Sequence, residues 1–352
     1  MEKPITRFIG CDLGDKHSEL CVVDEAGDVV QELRVRTTPA GLTKALRAVG
    51  QGRVIIEVCG LSRWVEELAV GLGHEVVVAN ARKVQLISKG GHKTDRSDAE
   101  LLARLGRADV KLLSPVKHRR QNAQVDLIHL RARDMLVQAR TMLINHVRGI
   151  VRSFGKRVPT CGADYFVRHA RPQVPPELVP ALDPVLDQID ALTAKIISFD
   201  RWAKVRAEHG YPESAQLTQV PGVGPIVALA FMLTIDKKER FAQSRTVGAF
   251  LGLTPRRHQS GARDPELRIS KAGDGFVRRL LVTSAQCILR PAAQDSDLRR
   301  WGLALASRGR KAAKNKAVTA VARKLAVLLH RLWVTGEKYQ PLGYSSSQTQ
   351  AA

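Results

Sequence analysis

Residues 92–100 read His92-Lys93-Thr94-Asp95-Arg96-Ser97-Asp98-Ala99-Glu100, and the fold follows from what this stretch needs around it. Thr94 is a candidate N-cap. Ala99, Leu101, Leu102 and Leu105 give the apolar stripe of a helix running to about Arg107. Asp95 and Asp98 then share one helix face, with Cβ atoms roughly 5–6 Å apart. Like charges at that separation are costly unless a cation lies between them. Taken alone, the pair equally describes an acidic first turn that complements the helix dipole. The residues upstream decide between the two.

Apolar runs at Ile5–Leu13, Glu19–Val23 and Asp28–Val35 are separated by turn residues and predict a three-stranded meander. Pro39 opens a helix to about Val49. Arg53–Val58 and Glu75–Ala79 are buried-strand patterns on either side of an amphipathic helix, Ser62–Leu72, and Asn80–Ser88 is a further helix. The order β-β-β-α-β-α-β-α is that of a ribonuclease-H-like α/β domain, which we assign to residues 1–113. In it Asp12 ends the first strand and Glu57 lies near the end of the fourth, and strand ends of this kind converge on one crevice. A carboxylate within Val54-Ile55-Ile56-Glu57-Val58 is expensive unless it is paired or bound to metal. Asp12, Glu57, Asp95 and Asp98 together would hold two divalent cations roughly 4 Å apart, the arrangement that serves phosphodiester cleavage. Mg²⁺ suits such hard oxygen donors. His17 reads as a solvated turn residue, and Glu66 and Glu67 as the solvated side of a helix.

The charge is unevenly spread. Up to Val110 there are 16 Lys or Arg and 16 Asp or Glu, so the net charge of +22 falls entirely on the remaining residues. A neutral first module and a strongly basic remainder point to chemistry in one and polyanion binding in the other. Hydrophobic content of 44% and charged content of 26% exclude a wholly disordered chain. Five scattered cysteines with no CxxC pair argue against a disulfide framework and a zinc site. No run of 18 apolar residues and no signal-peptide core is present, so we expect a cytoplasmic, nucleoid-associated protein.

After Ser114-Pro115, Ile128, Ala132, Met135, Ala139, Met142 and His146 fall at alternating four- and three-residue steps, a heptad seam. A second seam runs through Leu182, Ile189, Ile196 and Ala203, with Leu186, Leu192 and Phe199 between. A proline-rich stretch, Val158–Pro180, separates them, and we read residues 114–210 as a coiled-coil, dimerising arm. A mainly helical third domain is expected over residues 211–340, followed by a disordered tail at 341–352. It opens with Val220-Pro221-Gly222-Val223-Gly224-Pro225, similar to the turn of a helix-hairpin-helix, where Gly222 and Gly224 would expose amides to a phosphate. Apolar helices are expected over Ile226–Leu233, Phe241–Leu251 and Gly275–Leu289, and a basic amphipathic one over Trp301–Trp333 with Arg310, Lys311 and Lys314 on a nucleic-acid backbone. The loop Arg256-Arg257-His258-Gln259-Ser260-Gly261-Ala262-Arg263 offers a serine hydroxyl among three arginines. It reads either as a surface turn or as a nucleophile in a cationic pocket. Ser270, beside Lys271, is the competing serine.

In order along the chain, GCDLG with Asp12, the strand with Glu57, KTDRSDAELLA with Asp95 and Asp98, VPGVGP, and GLTP…QSG…ISKAG resemble the IS-one-ten / IS-eleven-eleven insertion-sequence transposases. These are the DEDD enzymes that look like RuvC-type resolvases fused to a second transposase domain. The resemblance implies a recombinase that excises and inserts its own element, guided by a bridge (seek) RNA that pairs with donor and target double-stranded DNA. It implies Mg²⁺ on Asp12, Glu57, Asp95 and Asp98, and Ser260 as the nucleophile of a phosphoserine intermediate. Dimers that assemble into a tetramer are implied too, with no membrane partner. The alternative is a structure-selective metal-dependent nuclease of the resolvase type with no covalent step. A sugar kinase, whose fold also begins with a DxG turn, would need a glycine-rich adenosine loop that this chain lacks.

Overall fold

The computed structural model describes residues 5–82, 84, 94–257, 259, 267–309 and 311–343. Most of the expected helix at 80–88, and the tail from 344, lie outside them. The chain divides into two compact units, Met1–His118 and Arg119–Ala352.

The first unit is a mixed five-stranded sheet with helices on both faces. Its strands are β1 (Phe8–Asp12), β2 (His17–Val23), β3 (Val29–Arg36), β4 (Arg53–Glu57) and β5 (Glu75–Ala79), in the order β3-β2-β1-β4-β5. The meander β1-β2-β3 is antiparallel, whereas β1, β4 and β5 run parallel and need crossover helices. Alternation along each strand sends side chains to opposite faces. Ile9, Cys11, Val54, Ile56 and Val78 meet Leu42 and Leu46 of α1 (Pro39–Ala48) and Val65 and Ala69 of α2 (Ser62–Gly71). Phe8, Ile55 and Val77 pack with Leu102 of α3 (Asp95–Ala108) on the other face, where Cys21 and Val23 meet Ala99 and Ala103. Central strands buried on both faces explain why their sequences read as unbroken apolar runs.

The second unit is mainly helical. α4 (Gln121–Ser153) and α6 (Val179–Gly210) run antiparallel, as the pairs Asp126–Arg206, Arg133–Asp200 and Arg140–Thr193 show. The seam of α6 lies where the heptads place it: Leu182, Leu186, Ile189, Leu192, Ile196 and Ala203 are buried. That of α4 does not. Its buried stripe is Leu127, Leu130, Arg140, Ile144, Val147 and Val151, while Ile128, Met135 and Met142 are 53%, 63% and 65% exposed. The true stripe is disguised by Asp126 and Arg140, which find polar partners: Asp126 accepts from Arg206 at 2.9 Å and Tyr211 at 2.8 Å, and Arg140 Nη1 donates to Asp164 at 2.6 Å and Thr193 at 3.1 Å, while its buried Nε has no partner among the described residues. The proline-rich connection folds over the end of this hairpin, where Phe166, Val167 and Ala170 of α5 (Phe166–Ala170) join Ile144, Val147, Val151, Leu182 and Leu186 in a core of their own.

The remaining helices are α7 (Ser214–Thr218), α8 (Pro225–Ile235), α9 (Val247–Phe250), α10 (Gly275–Ile288), α11 (Asp297–Ala306) and α12 (Lys311–Thr335). α8, whose residues Ala228 to Ile235 are all buried, packs against α4, α6, α7 and α10. Two expected helices are broken. Residues 241–251 yield only a 3-10 turn at Ser244–Thr246 running into the single turn of α9, since Phe241 is extended and Ser244 is tied to the buried ring of His330 at 2.9 Å. The stretch 301–333 is interrupted after Ala306, so α11 and α12 fold back on each other, with Gly302 tight against Val321.

Candidate active site and nucleic-acid interface

The first unit gathers its carboxylates by the way α3 crosses the sheet. Gly10 of β1 lies directly under the helix: a Cβ there would stand 1.9 Å from the Ala99 carbonyl oxygen. Near the far end of α3, Arg53 at the start of β4 donates to the Gly106 carbonyl at 3.2 Å. The helix therefore runs antiparallel to β1 and β4, and its N-terminus stands at their C-terminal ends. Asp12 and Glu57 end those two strands, in the step after the registered pair Cys11–Ile56. By alternation Asp12 shares the face of Gly10 and Glu57 that of Ile55, and this is the α3 face. Asp95 lies one turn before Ala99 and Asp98 one turn before Leu102, on the rows that pack against the sheet.

All four residues thus come to one edge and one side of the sheet. Asp12, Glu57 and Asp98 are half-buried there and Asp95 is exposed. Among the described residues, no group of three or more His, Cys, Asp or Glu side chains is drawn together tightly enough to hold a metal ion. The start of α3 is stiffened by a reciprocal cap, in which Thr94 Oγ1 accepts from the Ser97 amide at 3.1 Å and Ser97 Oγ accepts from the Thr94 amide at 3.0 Å. Arg96 forms an ion pair with Glu32 of β3, and Arg104 and Arg107 donate to the carbonyls of Gly27 and Glu25 at 2.8 and 2.9 Å. None of these contacts uses Asp95. Cys11, beside Asp12 in sequence, points to the opposite face; burial, reinforced by the charge of Asp12, pushes its thiol pKa well up and leaves it inert.

In the second unit, two motifs fix the base of the loop that carries Ser260. Thr254 to Arg256 and Arg268 to Ser270 form a short antiparallel ribbon, with Arg256 N donating to Arg268 O at 3.0 Å and Ser270 N to Thr254 O at 2.8 Å. Beneath it two glycines interlock. A Cβ on Gly252 (φ +68°) would lie 2.1 Å from Ala272 O, and one on Gly273 (φ +75°) 2.0 Å from Phe250 O. Arg278 of α10 clamps both strands, donating to Leu251 O and Ala272 O at 3.1 Å each. Lys271 sits between them in the left-handed region at φ 53°. Arg256 and Arg257 are exposed at the loop's entrance, whereas Ser260, Arg263 and Arg310 lie outside the described residues. The competing Ser270 accepts from the Ala272 amide at 3.3 Å, so it serves the turn.

The glycine turn joins α7 to α8. Gly222 takes φ +84° and packs against α10, where a Cβ would lie 3.1 Å from Ser284 O, and Val223 N is used inside the turn, donating to Val220 O at 3.0 Å. Gly224 caps α8 with open space around it. On α12, Lys311 and Lys314 are exposed. Farther along the same helix lies a feature that no local pattern signals. An open groove of about 1550 Å³ runs between α11, α12 and the second strand of the ribbon, lined by Arg268, Lys316, Arg323 and Lys324 among others. Arg245 and Arg331, also on its wall, come from segments 86 residues apart in sequence.

Comparison with known proteins places these features in a family. A transposase model of the DEDD IS110 type matches residues 9–155, the stretch that spans all four carboxylates. A second, described as transposase IS116/IS110/IS902 family, matches residues 214–298, which span the glycine turn and the ribbon. Over 342 residues the chain is 32% identical to the "Probable family 20 transposase" of Pseudomonas aeruginosa, covering 95% of this chain and 98% of that one. The chain belongs to the IS110 family of transposases. The transposase for insertion sequence element IS1111A of Coxiella burnetii is 28% identical over 342 residues, covering 95% of this chain and 91% of the relative. That for IS1328 of Yersinia enterocolitica is 28% identical over 330 residues, 92% and 95% of the two chains. A transposase of this family needs two kinds of surface, one for phosphodiester chemistry and one for polyanions. In this molecule the carboxylate edge belongs to the first unit and the cationic groove to the second. No described helix is long and apolar enough to cross a membrane.

Proposed function

We propose that the protein is a DEDD-type recombinase that excises and inserts an insertion sequence, and that its first unit is a RuvC-like catalytic domain. The observation that carries this is the antiparallel crossing of α3, which sets Asp95 and Asp98 beside the ends of the strands bearing Asp12 and Glu57. An all-carboxylate donor set without sulfur or imidazole suits Mg²⁺, and Asp12, Glu57, Asp95 and Asp98 would be its ligands. When bound, such ions neutralise charge at a phosphate.

Ser260 is the proposed nucleophile. Its hydroxyl attacks phosphorus, the bond from phosphorus to the departing strand's oxygen breaks, and the serine proton ends on that oxygen. One phosphodiester replaces another, so rejoining consumes neither ATP nor a redox partner. Arg256, Arg257 and Arg263 would offset the charge that grows on the phosphoryl oxygens. Double-stranded DNA, donor and target, is the substrate, and the positive charge of the second unit suits both DNA and a guide RNA. The exposed heptad row of α4, with Ile128, Met135 and Met142, supports assembly into dimers and from these a tetramer.

The test is strand cleavage of a minimal element with Mg²⁺ and co-purified RNA, followed by denaturing gels for a protein–DNA adduct. Wild-type protein gives an adduct that Ser260→Ala cannot form. Full cleavage by Ser260→Ala without adduct would replace this reading with that of a hydrolytic nuclease.

A further inference from the structure

The groove beside α12 has a composition that a duplex-binding surface does not require. Among the described residues, seven of those lining it are Lys or Arg, of which Arg331 pairs with Glu337 at 3.3 Å, against the single lining carboxylate of Asp297, which accepts from the Gly343 amide at 3.0 Å. Its floor, however, is apolar: Leu298, Trp301, Leu328 and Tyr339 contribute, and the ammonium of Lys324 lies 3.8 Å from the centroid of the Trp301 ring. At about 1550 Å³ it exceeds the roughly 300–1,000 Å³ of a small-molecule cleft, so it is large enough for a segment of polymer. A duplex presents phosphates outward and keeps its bases stacked inside, so it would meet the cations but leave the floor uncovered. Unpaired nucleotides carry both groups: phosphates for a basic rim, and base faces for an apolar and aromatic floor.

The position of the groove strengthens the point. Arg268 and Ile269, on its wall, belong to the returning strand of the ribbon that carries the Ser260 loop. Exchange of strands between two duplexes obliges each exchanged strand to leave its complement, so unpaired DNA must exist close to the phosphate under attack.

We propose that this groove binds single-stranded DNA, the strand freed from its complement during exchange. The inference rests on the recombinase reading for the origin of that strand. The cations neutralise its phosphates and the floor around Trp301 takes its bases. No neutral partner would need seven cations, and no rod-like polyanion would need the floor.

The experiment uses the full-length protein and fluorescence anisotropy with one labelled 15-nucleotide sequence as single-stranded DNA, as RNA and as blunt DNA duplex. Single-stranded DNA is expected to bind at least tenfold more tightly than the duplex, and at least as tightly as the RNA. Lys316→Ala/Arg323→Ala, both exposed on α12, should weaken single-strand binding about tenfold or more. The same double variant should lower the slope of log K against log salt by about 1.4, at roughly 0.7 per phosphate contact on a single strand. Trp301→Leu should weaken single-strand binding and leave duplex binding unchanged. The proposal is overturned by equal or tighter duplex binding, by a clear preference for RNA, or by a double variant that binds as wild type does, whatever then fills the groove. Adduct formation is read on the same wild-type preparation. An adduct together with unaltered binding by the double variant sinks the groove alone, whereas groove-dependent binding without an adduct sinks the serine mechanism alone.

Discussion

The two units use charge in opposite ways. In the first, four carboxylates from three separate stretches of the sequence are brought to one edge by a sheet and one crossing helix, in a unit whose 18 Lys or Arg nearly balance its 16 Asp or Glu. In the second, 38 Lys or Arg outnumber 18 Asp or Glu and are spread along helices and a ribbon. Concentrating like charge needs a rigid scaffold, because each carboxylate must be held against repulsion and desolvation. Spreading it needs only helices, whose solvent faces accept Lys and Arg at little cost. Close backbone packing is common to both units, at Gly10 in the first and at Gly252 and Gly273 in the second.

The sharpest way to break this contrast is to remove a charge from the concentrated site. Asp12→Asn should reduce strand cleavage by roughly 10³-fold, the scale of losing one charge-stabilising group in an active site. Cleavage that survives would show that the edge is only structural. Next in size is Gly10→Val, which drives a side chain into the Ala99 carbonyl and should cost about 3 kcal/mol or more, read by denaturant titration. A small loss there would mean that α3 is not seated as described, and the gathering of the carboxylates would go with it.

In the second unit the corrected seam gives a matched pair. Leu130→Ala, at a fully buried position, should cost about 2–5 kcal/mol, whereas Met135→Ala should stay within about 0.5 kcal/mol. Met135→Glu with Met142→Glu should instead weaken self-association in sedimentation experiments, and an unchanged oligomeric state would remove the exposed row from the assembly. The smallest effect is one that both units share. Burial pushes the imidazoles of His74 and His330 below their ordinary value of 6.5. The unfolded chain then takes up protons before the folded one does, so stability is full above about pH 6.5 and declines as the pH falls toward the depressed folded values. A melting temperature that does not decrease between pH 7.5 and 5.5 would contradict this.

Much of the candidate site was legible in the residues, and the reason is geometric. A strand that ends on a carboxylate after an apolar run places it at a sheet edge whatever the detailed twist, so Asp12 and Glu57 could be assigned from pattern alone. Thr94 announced the start of α3 through its side-chain chemistry, and the reciprocal bond with Ser97 matches that reading. The heptads of α4 were misleading for an equally physical reason. Val125, Ile128, Met135 and Met142 keep a repeat as regular as that of the buried stripe, and periodicity cannot say which of two apolar rows meets a partner. Asp126 and Arg140 settle it only through residues on other elements, Arg206, Tyr211, Thr193 and Asp164.

What the chain alone determined, then, is the order of its elements, the strand-end placement of its carboxylates and the division between a neutral and a basic half. These depend on short-range periodicity, side-chain capping and counting. Only the tertiary structure decided the direction in which α3 crosses β1, the face that α4 turns inward and the existence of a groove whose wall joins Arg245, Arg268 and Arg331. Each of these depends on which surfaces meet, and that is set by close packing between residues distant in sequence, such as Gly10 beneath Ala99, which no local pattern encodes.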